Sequence, residues 1–268
     1  MTYAPGQHGD VATGPGWELR CGRWQDVLAD ITECDCLCTD PPYSERTHAA
    51  YSADGSGQHM GVRDNRKRWD LGLEPLRRSI DYAALSADGL NEIVEHWSAR
   101  ASGWTCWLTD SELTHAFRDA SRAAGRYAFA PLPCVIRGMT VRLVGDGPSS
   151  ESVSLMVSRP RTSAMAKWGT LPGHYYGTSE RCLVVGGKPL WLMRAIIRDY
   201  TRPGDLVVDP CAGGGTTLLA AVMEGRRAIG AEMDVKTWEK AVARLRKGYT
   251  APLPGMETPR MEQTGLDL

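Results

Sequence analysis

The tetrapeptide Asp40-Pro41-Pro42-Tyr43 combines residue types that could activate an amino group conjugated to an aromatic ring. Such an amine is a poor nucleophile because its lone pair is delocalised into the ring. The Asp40 carboxylate can accept one hydrogen bond from the amine, and the Pro41 carbonyl can accept another. These bonds favour a pyramidal nitrogen, and the prolines hold both acceptors in place beforehand. Because Tyr43 adds a face for stacking, we take Asp40, Pro41, Pro42 and Tyr43 as the candidate catalytic residues.

A glycine-rich loop starts at Asp209, between a short apolar run and a helical pattern. Glycines let the backbone approach a ligand closely and aim its N–H groups at the ligand. A phosphate-binding loop needs a lysine before its Ser or Thr, and a dinucleotide loop needs G-x-G-x-x-G; this loop has neither. Glu232 ends the next predicted strand, where an acid can accept hydrogen bonds from ribose hydroxyls. The loop therefore predicts a site for a nucleoside without phosphates.

Both signatures follow predicted strands. In open α/β sheets, ligands bind beyond the carboxyl ends of the strands, so we expect Asp40 and Asp209 to face one crevice. An ordinary turn is the alternative interpretation of the first signature, because Asp-Pro often starts a turn. The presence of the second signature favours a shared site over a turn.

The elements that must position these loops follow from apolar periodicity. Strands alternate with helices, which indicates a mostly parallel sheet with helices on both faces. One domain is expected over residues 17–248, between a flexible leader at 1–16 and a flexible tail at 249–268. The predicted strands are 17–22, 34–40, 103–110, 128–138, 153–160, 205–210 and 226–234, and the predicted helices are 24–31, 89–100, 193–200, 213–225 and 235–245.

Composition limits the class of protein. The 268 residues suffice for one large α/β domain, and the formal net charge of −1 means that nucleic-acid contacts must come from local patches. No apolar stretch reaches the length of a membrane span, so no membrane partner is expected. The Gly- and Pro-rich start lacks the layout of a signal peptide. We expect a cytoplasmic protein.

Three of the eight cysteines, Cys34, Cys36 and Cys38, alternate along a predicted strand and would share one face of it. A metal site is the alternative reading, but such sites usually use CxxC-type spacing with distant partners. The six histidines form no ligand spacing either. We expect buried free thiols and no catalytic metal.

The two signatures, in this order, resemble those of the amino-methyltransferases that modify DNA at N6 of adenine or N4 of cytosine. The tetrapeptide precedes the glycine loop, as in the β arrangement of that family, and the resemblance covers about residues 17–248. It implies an α/β, Rossmann-like, S-adenosylmethionine-dependent methyltransferase fold, circularly permuted, with about seven mostly parallel strands. It also implies S-adenosylmethionine as the methyl donor and a flipped DNA base as the acceptor.

The same resemblance assigns roles to further residues. Lys188-Pro189-Leu190 would start the helix before the glycine-loop strand and help to hold the amino-acid end of the cofactor. Two positions depart from the family pattern: Cys211 replaces the usual Phe, and Arg23 replaces an acid that often lies near the cofactor's adenine. The implied cofactor-binding residues are Asp209, Pro210, Cys211, Gly213, Gly215, Thr216, Thr217, Glu232, Lys188, Pro189 and Leu190.

The first residue of the tetrapeptide bears on the target base. Asp is usual there in adenine enzymes of the family, and Ser is commoner in cytosine enzymes, so we expect N6 of adenine, with N4 of cytosine as the alternative. A methyltransferase of RNA or protein amides is a second alternative, but those relatives usually have Asn first and the glycine loop earlier. A non-catalytic DNA-binding module is a third, against which the intact Asp40, Tyr43 and Asp209 argue.

Two basic stretches are candidates for contacts with the DNA substrate. One lies in the long loop at 44–70, and the other lies in a candidate target-recognition insert at 159–187. Basic residues among aromatic ones suit phosphate and base contacts, although charge runs are usually solvated faces. The resemblance leaves a homodimer open and identifies no partner endonuclease. The candidate DNA-binding residues are Arg63, Arg66, Lys67, Arg68, Arg159, Arg161 and Lys167.

Overall fold

The computed structural model describes residues 6–49, 82–138, 151–161, 168–180, 182–184 and 186–248. The strands in these ranges are β1 (Val11–Gly14), β2 (Trp17–Cys21), β3 (Cys34–Thr39), β4 (Ala101–Thr109), β5 (Tyr127–Ala128), β6 (Leu132–Arg137), β7 (Ser152–Arg159), β8 (Tyr175–Thr178), β9 (Leu206–Asp209) and β10 (Arg227–Glu232). The helices are α1 (Trp24–Val27), α2 (Glu45–Ala49), α3 (Ala87–Arg100), α4 (Thr114–Ala123), α5 (Leu190–Tyr200), α6 (Thr216–Met223) and α7 (Val235–Lys247).

All of these strands belong to one sheet, in the order β1-β2-β10-β9-β3-β4-β7-β6-β8, with β5 added beside β7. The central run β2-β10-β9-β3-β4 is entirely parallel. Antiparallel pairing occurs between β1 and β2 and around β7. The predicted α/β fold with a mostly parallel sheet is confirmed. The described residues hold ten strands instead of about seven, because β1, β5 and β8 are short additions to the main sheet.

Helices cover both faces of the sheet, as a parallel sheet requires. The apolar stripes of α5, α6 and α7 pack on one face, and those of α3 and α4 pack on the other. The stripe predicted for α3 is confirmed, since its four apolar residues are all at most 3% exposed. Helix α4 has no counterpart among the predicted elements, because only Phe117 gives its buried face a strong apolar signal. Among the described residues, no helix combines the length and the apolar character that a membrane span requires.

The expected flexible leader is wrong over residues 6–16. Strand β1 pairs antiparallel with β2, from Val11 opposite Arg20 to Gly14 opposite Trp17, and Ala12 is only 2% exposed. The strand escaped prediction because four residues with two small side chains give no clear period. Residues 1–5 and the predicted tail at 249–268 lie outside the described residues.

The expected shared face of the three cysteines is also wrong at one position. All three thiols are buried and free, but Cys36 and Cys38 pack on one face of the sheet while Cys34 packs on the other. The register against β4 shifts between Cys34 and Cys36, and such an irregularity breaks the alternation of side chains. No cluster of potential metal ligands was found among the residues that the structure describes.

A buried hydrogen bond joins the ends of β3 and β9, which are adjacent in the sheet. The Thr39 hydroxyl donates to Asp209 Oδ1 over 2.6 Å, although 170 positions separate the two residues in the chain. Asp209 is 1% exposed, and the same oxygen accepts from the Cys211 N–H at 3.0 Å. Burial raises the pKa of Asp209 to about 6, while these hydrogen bonds oppose the rise. The bond ties the residue before Asp40 to the first residue of the glycine loop.

Thr39→Val tests that bond, because valine keeps the shape of threonine and removes only the donor. Asp209 then loses a buried partner, so we expect the free energy of unfolding to fall by about 1–3 kcal/mol, measured by denaturant titration. Thr109→Val is the matched control. Thr109 ends β4 as Thr39 ends β3, it is equally buried, and its hydroxyl has no hydrogen bond in the described parts of the chain. Equal losses in both variants would contradict the role of the bond.

Candidate active site

The carboxyl ends of four parallel strands form one edge of the sheet, and each is followed or ended by an acid. Asp40 follows β3, Asp110 follows β4, and Asp209 and Glu232 end β9 and β10. The structure therefore brings the tetrapeptide and the glycine loop to neighbouring positions at the same edge. This is the edge at which open α/β sheets bind ligands.

Asp40 forms an ion pair with Lys188. The lysine Nζ lies 2.5 Å from Asp40 Oδ2 and 2.9 Å from the carbonyl oxygen of Gly186. The Lys188 side chain is 7% exposed and that of Asp40 is 22% exposed, so the pair is largely withdrawn from solvent. The same ammonium lies 4.9 Å from the centre of the Tyr43 ring, within the range of a cation–π contact.

Asp40 Oδ1 and the Tyr43 hydroxyl are buried and make no close hydrogen bond with the described residues, although the Tyr43 hydroxyl lies near enough to Asp40 to favour its charge. Burial raises the pKa of Asp40, and the adjacent Lys188 charge opposes that rise. Burial also raises the pKa of Tyr43 well above its ordinary value, and the nearby Asp40 charge adds to the rise. Lys188 therefore engages one oxygen of Asp40, while the other is buried without a close hydrogen bond from the described residues, beside a neutral phenol.

Asp110 anchors the backbone just after the tetrapeptide. Its Oδ2 accepts from the Ser44 N–H at 3.0 Å, the Ser44 hydroxyl at 2.5 Å and the Thr47 hydroxyl at 2.6 Å. Burial disfavours its charge, but these hydrogen bonds outweigh burial and lower the pKa of Asp110. The sequence reading missed this residue. The repeated pattern of an apolar strand ending in Thr-Asp, at Thr109-Asp110 as at Thr39-Asp40, could have found it.

The glycine loop turns sharply between β9 and α6. Gly213 and Gly215 have φ values of 51° and 70°, a left-handed conformation that favours glycine. Gly215 is also the N-cap of α6. Arg244 of α7 donates to the Gly214 carbonyl at 3.1 Å and to the Thr216 hydroxyl at 2.8 Å, so α7 braces the loop from behind.

Glu232 braces the glycine loop from the side. Its Oε2 accepts from the Gly213 N–H at 2.9 Å, and its Oε1 accepts from the Asp234 N–H at 2.7 Å. Burial raises the pKa of Glu232, while these two hydrogen bonds favour its ionised form. Each carboxylate oxygen can accept a further bond, so Glu232 keeps acceptor capacity for a ligand.

Leu183 and Val184, which precede Lys188 in the chain, pack against the glycine loop. The sequence did not predict this contact. A Cβ placed on Gly214 would lie 3.3 Å from the Leu183 Cβ and 3.4 Å from a Val184 methyl group. Leu183 is nevertheless 42% exposed. The segment that carries Lys188 therefore passes over the glycine loop, and it carries no periodic signal from which this position could be read.

The remaining predicted cofactor residues lie around this loop. Pro189 is the N-cap of α5, and the Leu190 N–H donates to the Glu180 carboxylate at 2.7 Å. Pro210 is buried, and Thr217 is buried in the first turn of α6. Cys211 is partly buried, and burial raises the pKa of its thiol. Arg23 is exposed at the N-cap of α1.

Of the predicted DNA-binding residues, the two that the structure describes, Arg159 and Arg161, do not lie at this edge. Arg159 ends β7, which runs antiparallel to β4, so Arg159 and the exposed Arg161 lie towards the amino ends of the parallel strands. The Arg159 guanidinium lies 4.9 Å from the centre of the Tyr127 ring. The other candidates, Arg63, Arg66, Lys67, Arg68 and Lys167, lie outside the described residues.

Part of the chain is similar in sequence to known proteins. Residues 178–243, from β8 into α7, match the family model of the DNA methylases. The type II methyltransferase M.HindIII of Haemophilus influenzae is 46% identical over 61 residues, 23% of this chain and 20% of the relative. The DNA adenine methyltransferase YhdJ of Escherichia coli K12 is 40% identical over 58 residues, 22% of this chain and 20% of the relative. The matched segments span about a fifth of these relatives.

Solved structures show the same fold over most of the chain. The M1.HpyAVI–SAM complex has a TM-score of 0.59 at 17% identity, over 85% of this chain and 98% of that one. The cytosine-N4-specific PvuII DNA methyltransferase has a TM-score of 0.55 at 13% identity, over 88% of this chain and 95% of that one. The chain therefore resembles the DNA methylases in sequence over residues 178–243, and it has the fold of these solved DNA methyltransferases over most of its length.

Proposed function

We propose that this chain transfers a methyl group from S-adenosylmethionine to the exocyclic amine of a flipped DNA base, preferably N6 of adenine. One observation carries the proposal: Asp40 keeps an unpaired carboxylate oxygen beside a glycine loop to which its own loop is tied through Thr39 and Asp209. An acceptor for an amine and a cradle for a nucleoside are therefore neighbours. The DNA methylase match over residues 178–243 supports DNA as the substrate.

The residues around the glycine loop fit S-adenosylmethionine. Gly213 and Gly215 permit the left-handed turn that shapes the loop, and Glu232 retains acceptor capacity for ribose hydroxyls. The carboxylates of Asp209 and Glu232 at this loop would repel a phosphate, which favours a nucleoside without one. When bound, S-adenosylmethionine supplies an electrophilic methyl group on a sulfonium. The M1.HpyAVI–SAM complex among the fold relatives agrees with this choice of donor.

The tetrapeptide acts on the acceptor. The base leaves the duplex, and its amine donates one hydrogen bond to Asp40 Oδ1 and one to the Pro41 carbonyl. With both hydrogens held, the nitrogen lone pair would be free to attack the donor's methyl carbon, and the carbon–sulfur bond would break as the new bond formed, leaving a neutral thioether. Tyr43 provides the stacking face for the ring. After transfer the nitrogen carries a positive charge, which the Asp40 carboxylate can offset. The extra proton then passes to solvent.

Asp at the first position of the tetrapeptide supports adenine over cytosine as the target. The matched relatives include an adenine enzyme, YhdJ, while the fold relatives include the cytosine-N4-specific PvuII enzyme. Nucleoside analysis of unmethylated DNA incubated with the protein and labelled S-adenosylmethionine tests the choice. We expect labelled N6-methyladenine. Labelled N4-methylcytosine alone would overturn the adenine assignment and leave the reaction class standing.

Asp40→Ala is expected to abolish transfer and to leave donor binding nearly unchanged, because the carboxylate faces the amine and not the nucleoside cradle. Single-turnover transfer and calorimetric binding of S-adenosylmethionine measure the two effects separately. Asp119→Ala, which removes an exposed carboxylate on α4, is the control. Full transfer activity in Asp40→Ala would remove Asp40 from the mechanism.

Glu232→Ala is expected to weaken donor binding by roughly 10- to 100-fold, because it removes an ionised acceptor near the ribose. Glu232→Gln keeps the shape and one acceptor oxygen, so its loss is expected to be smaller. The dissociation constant is measured by calorimetry, with thermal unfolding as a check that the Gly213 turn survives. An unchanged constant in both variants would reject the ribose role.

For contact with DNA, we propose the basic loop residues Arg63, Arg66, Lys67 and Arg68, which follow Tyr43 in the chain. Lys167 is a further proposed contact from the candidate recognition insert. Arg159 and Arg161 lie towards the opposite edge of the sheet, so contacts from them would reach flanking DNA and not the target base.

Replacing Arg66, Lys67 and Arg68 together with Gln is expected to flatten the salt dependence of DNA binding. Each lost phosphate contact lowers the slope of log K against log salt by about 0.9. A triple change at the exposed Lys236, Lys240 and Lys247 of α7 is the matched control. Identical slopes in the loop variant and the wild-type protein would show that these residues are solvated and make no contact with DNA phosphates.

A further inference from the structure

One lysine contacts both polar side chains of the tetrapeptide. Lys188 Nζ is 2.5 Å from Asp40 Oδ2 and 4.9 Å from the centre of the Tyr43 ring, and it is fixed further by the Gly186 carbonyl at 2.9 Å. With 7% of its side chain exposed, the ammonium has little access to water. A buried charge in such a position is held by its partners, so its location is specific.

The contact with Lys188 makes the two carboxylate oxygens of Asp40 differ. Oδ2 is taken by the ammonium, whereas Oδ1 is buried without a partner among the described residues. A carboxylate held at one oxygen has little freedom to rotate. Oδ1 is therefore the acceptor that remains for an amine, and its direction is set from outside the tetrapeptide.

Lys188 also stabilises the negative charge of Asp40, because the other titratable groups near Asp40 are not cations. The titratable groups that face it are Tyr43 on its own loop, Cys38 on β3, Asp209 and Cys211 on the glycine loop, Cys182, and Lys188 itself. All of these except Lys188 are acids. Lys188 is thus the cation that offsets the burial of Asp40 within the described part of the chain.

We propose that Lys188 is a positioning residue for methyl transfer, which keeps Asp40 ionised and directs its Oδ1 towards the target amine. This inference rests on the function proposed above. It differs from the role that the resemblance gives to Lys188, at the amino-acid end of the cofactor, because the ammonium contacts the tetrapeptide itself.

The direction of the pH effect follows from the charges. Burial already raises the pKa of Asp40, and Lys188 is the main group that opposes the rise. Without the ammonium the pKa rises further, so a larger fraction of Asp40 is protonated at neutral pH. The acid limb of the rate profile should then move to higher pH. If Lys188 had only a structural role, its replacement would lower the rate by the same factor at every pH.

The experiment compares Lys188→Met with Lys188→Arg in the full chain. Methionine removes the charge at similar length, so the acid limb and the pKa of Asp40 are expected to rise by about one unit or more. Arginine keeps the charge, but its fork can engage both carboxylate oxygens. We expect Lys188→Arg to lower kcat at least tenfold, with the acid limb near its wild-type position. Lys240→Met, at an exposed lysine of α7, should match the wild type.

Two readouts separate this inference from the proposed function. One is kcat and KM for DNA across a pH series, and the other is the Asp40 carboxyl titration by carbon-13 NMR, assigned with Asp40→Asn. Normal transfer with an unmoved Asp40 pKa in Lys188→Met overturns the inference alone. A moved pKa without any transfer by the wild-type protein overturns the proposed function. If Lys188→Met does not fold, wild-type kcat in Lys188→Arg still overturns the positioning of Oδ1.

Discussion

The hydrogen bond between Thr39 and Asp209 is the contact on which the site depends. It joins β3 and β9, which are distant in the chain and adjacent in the sheet. The bond lies where each strand ends and a loop with candidate site residues begins. One loop begins with Asp40 and the other with Asp209, so the bond fixes the spacing between the proposed amine acceptor and the proposed nucleoside site. Asp209 is buried, and its hydrogen bonds with Thr39 and with the Cys211 N–H hold it in one orientation. The parallel centre of the sheet, covered by helices on both faces, gives this bond a rigid frame.

The electrostatics of the edge follow from a surplus of acids, of which Asp209 is buried and the other three are partly buried. Asp40, Asp110, Asp209 and Glu232 all stand at the carboxyl ends of parallel strands, and each is stabilised differently. Asp110 and Glu232 are held by hydrogen bonds from loop donors, and Asp209 is held by Thr39 and its own loop. Asp40 relies on Lys188 and keeps one oxygen unpaired. The acid with an unpaired acceptor is thus the one to which we assign the substrate amine, while its neighbours shape the loops around it.

The sequence predicted the parts of the fold that have strong local signals. The helical spacing of apolar residues predicted α3, α5 and α7, and short apolar runs predicted β3, β4 and β9. The two signature loops were recognised as motifs. What was missed depends on contacts between distant segments. Strand β1 exists because it pairs with β2, and the bulge near Cys34 arises from register against β4. Asp110 and the Lys188–Asp40 pair could be located only once β4 and the segment before α5 were placed beside β3.

The central claim is that the amine acceptor and the nucleoside cradle serve one pocket. A crystal structure with a bisubstrate analogue, in which the donor's nucleoside is linked to N6 of adenine, tests it most directly. The account predicts that the nucleoside lies on the glycine loop with its ribose at Glu232, and that the linked nitrogen lies within hydrogen-bonding distance of Asp40 Oδ1. An analogue bound away from the glycine loop, or with its adenine nitrogen out of reach of Asp40, would contradict the account.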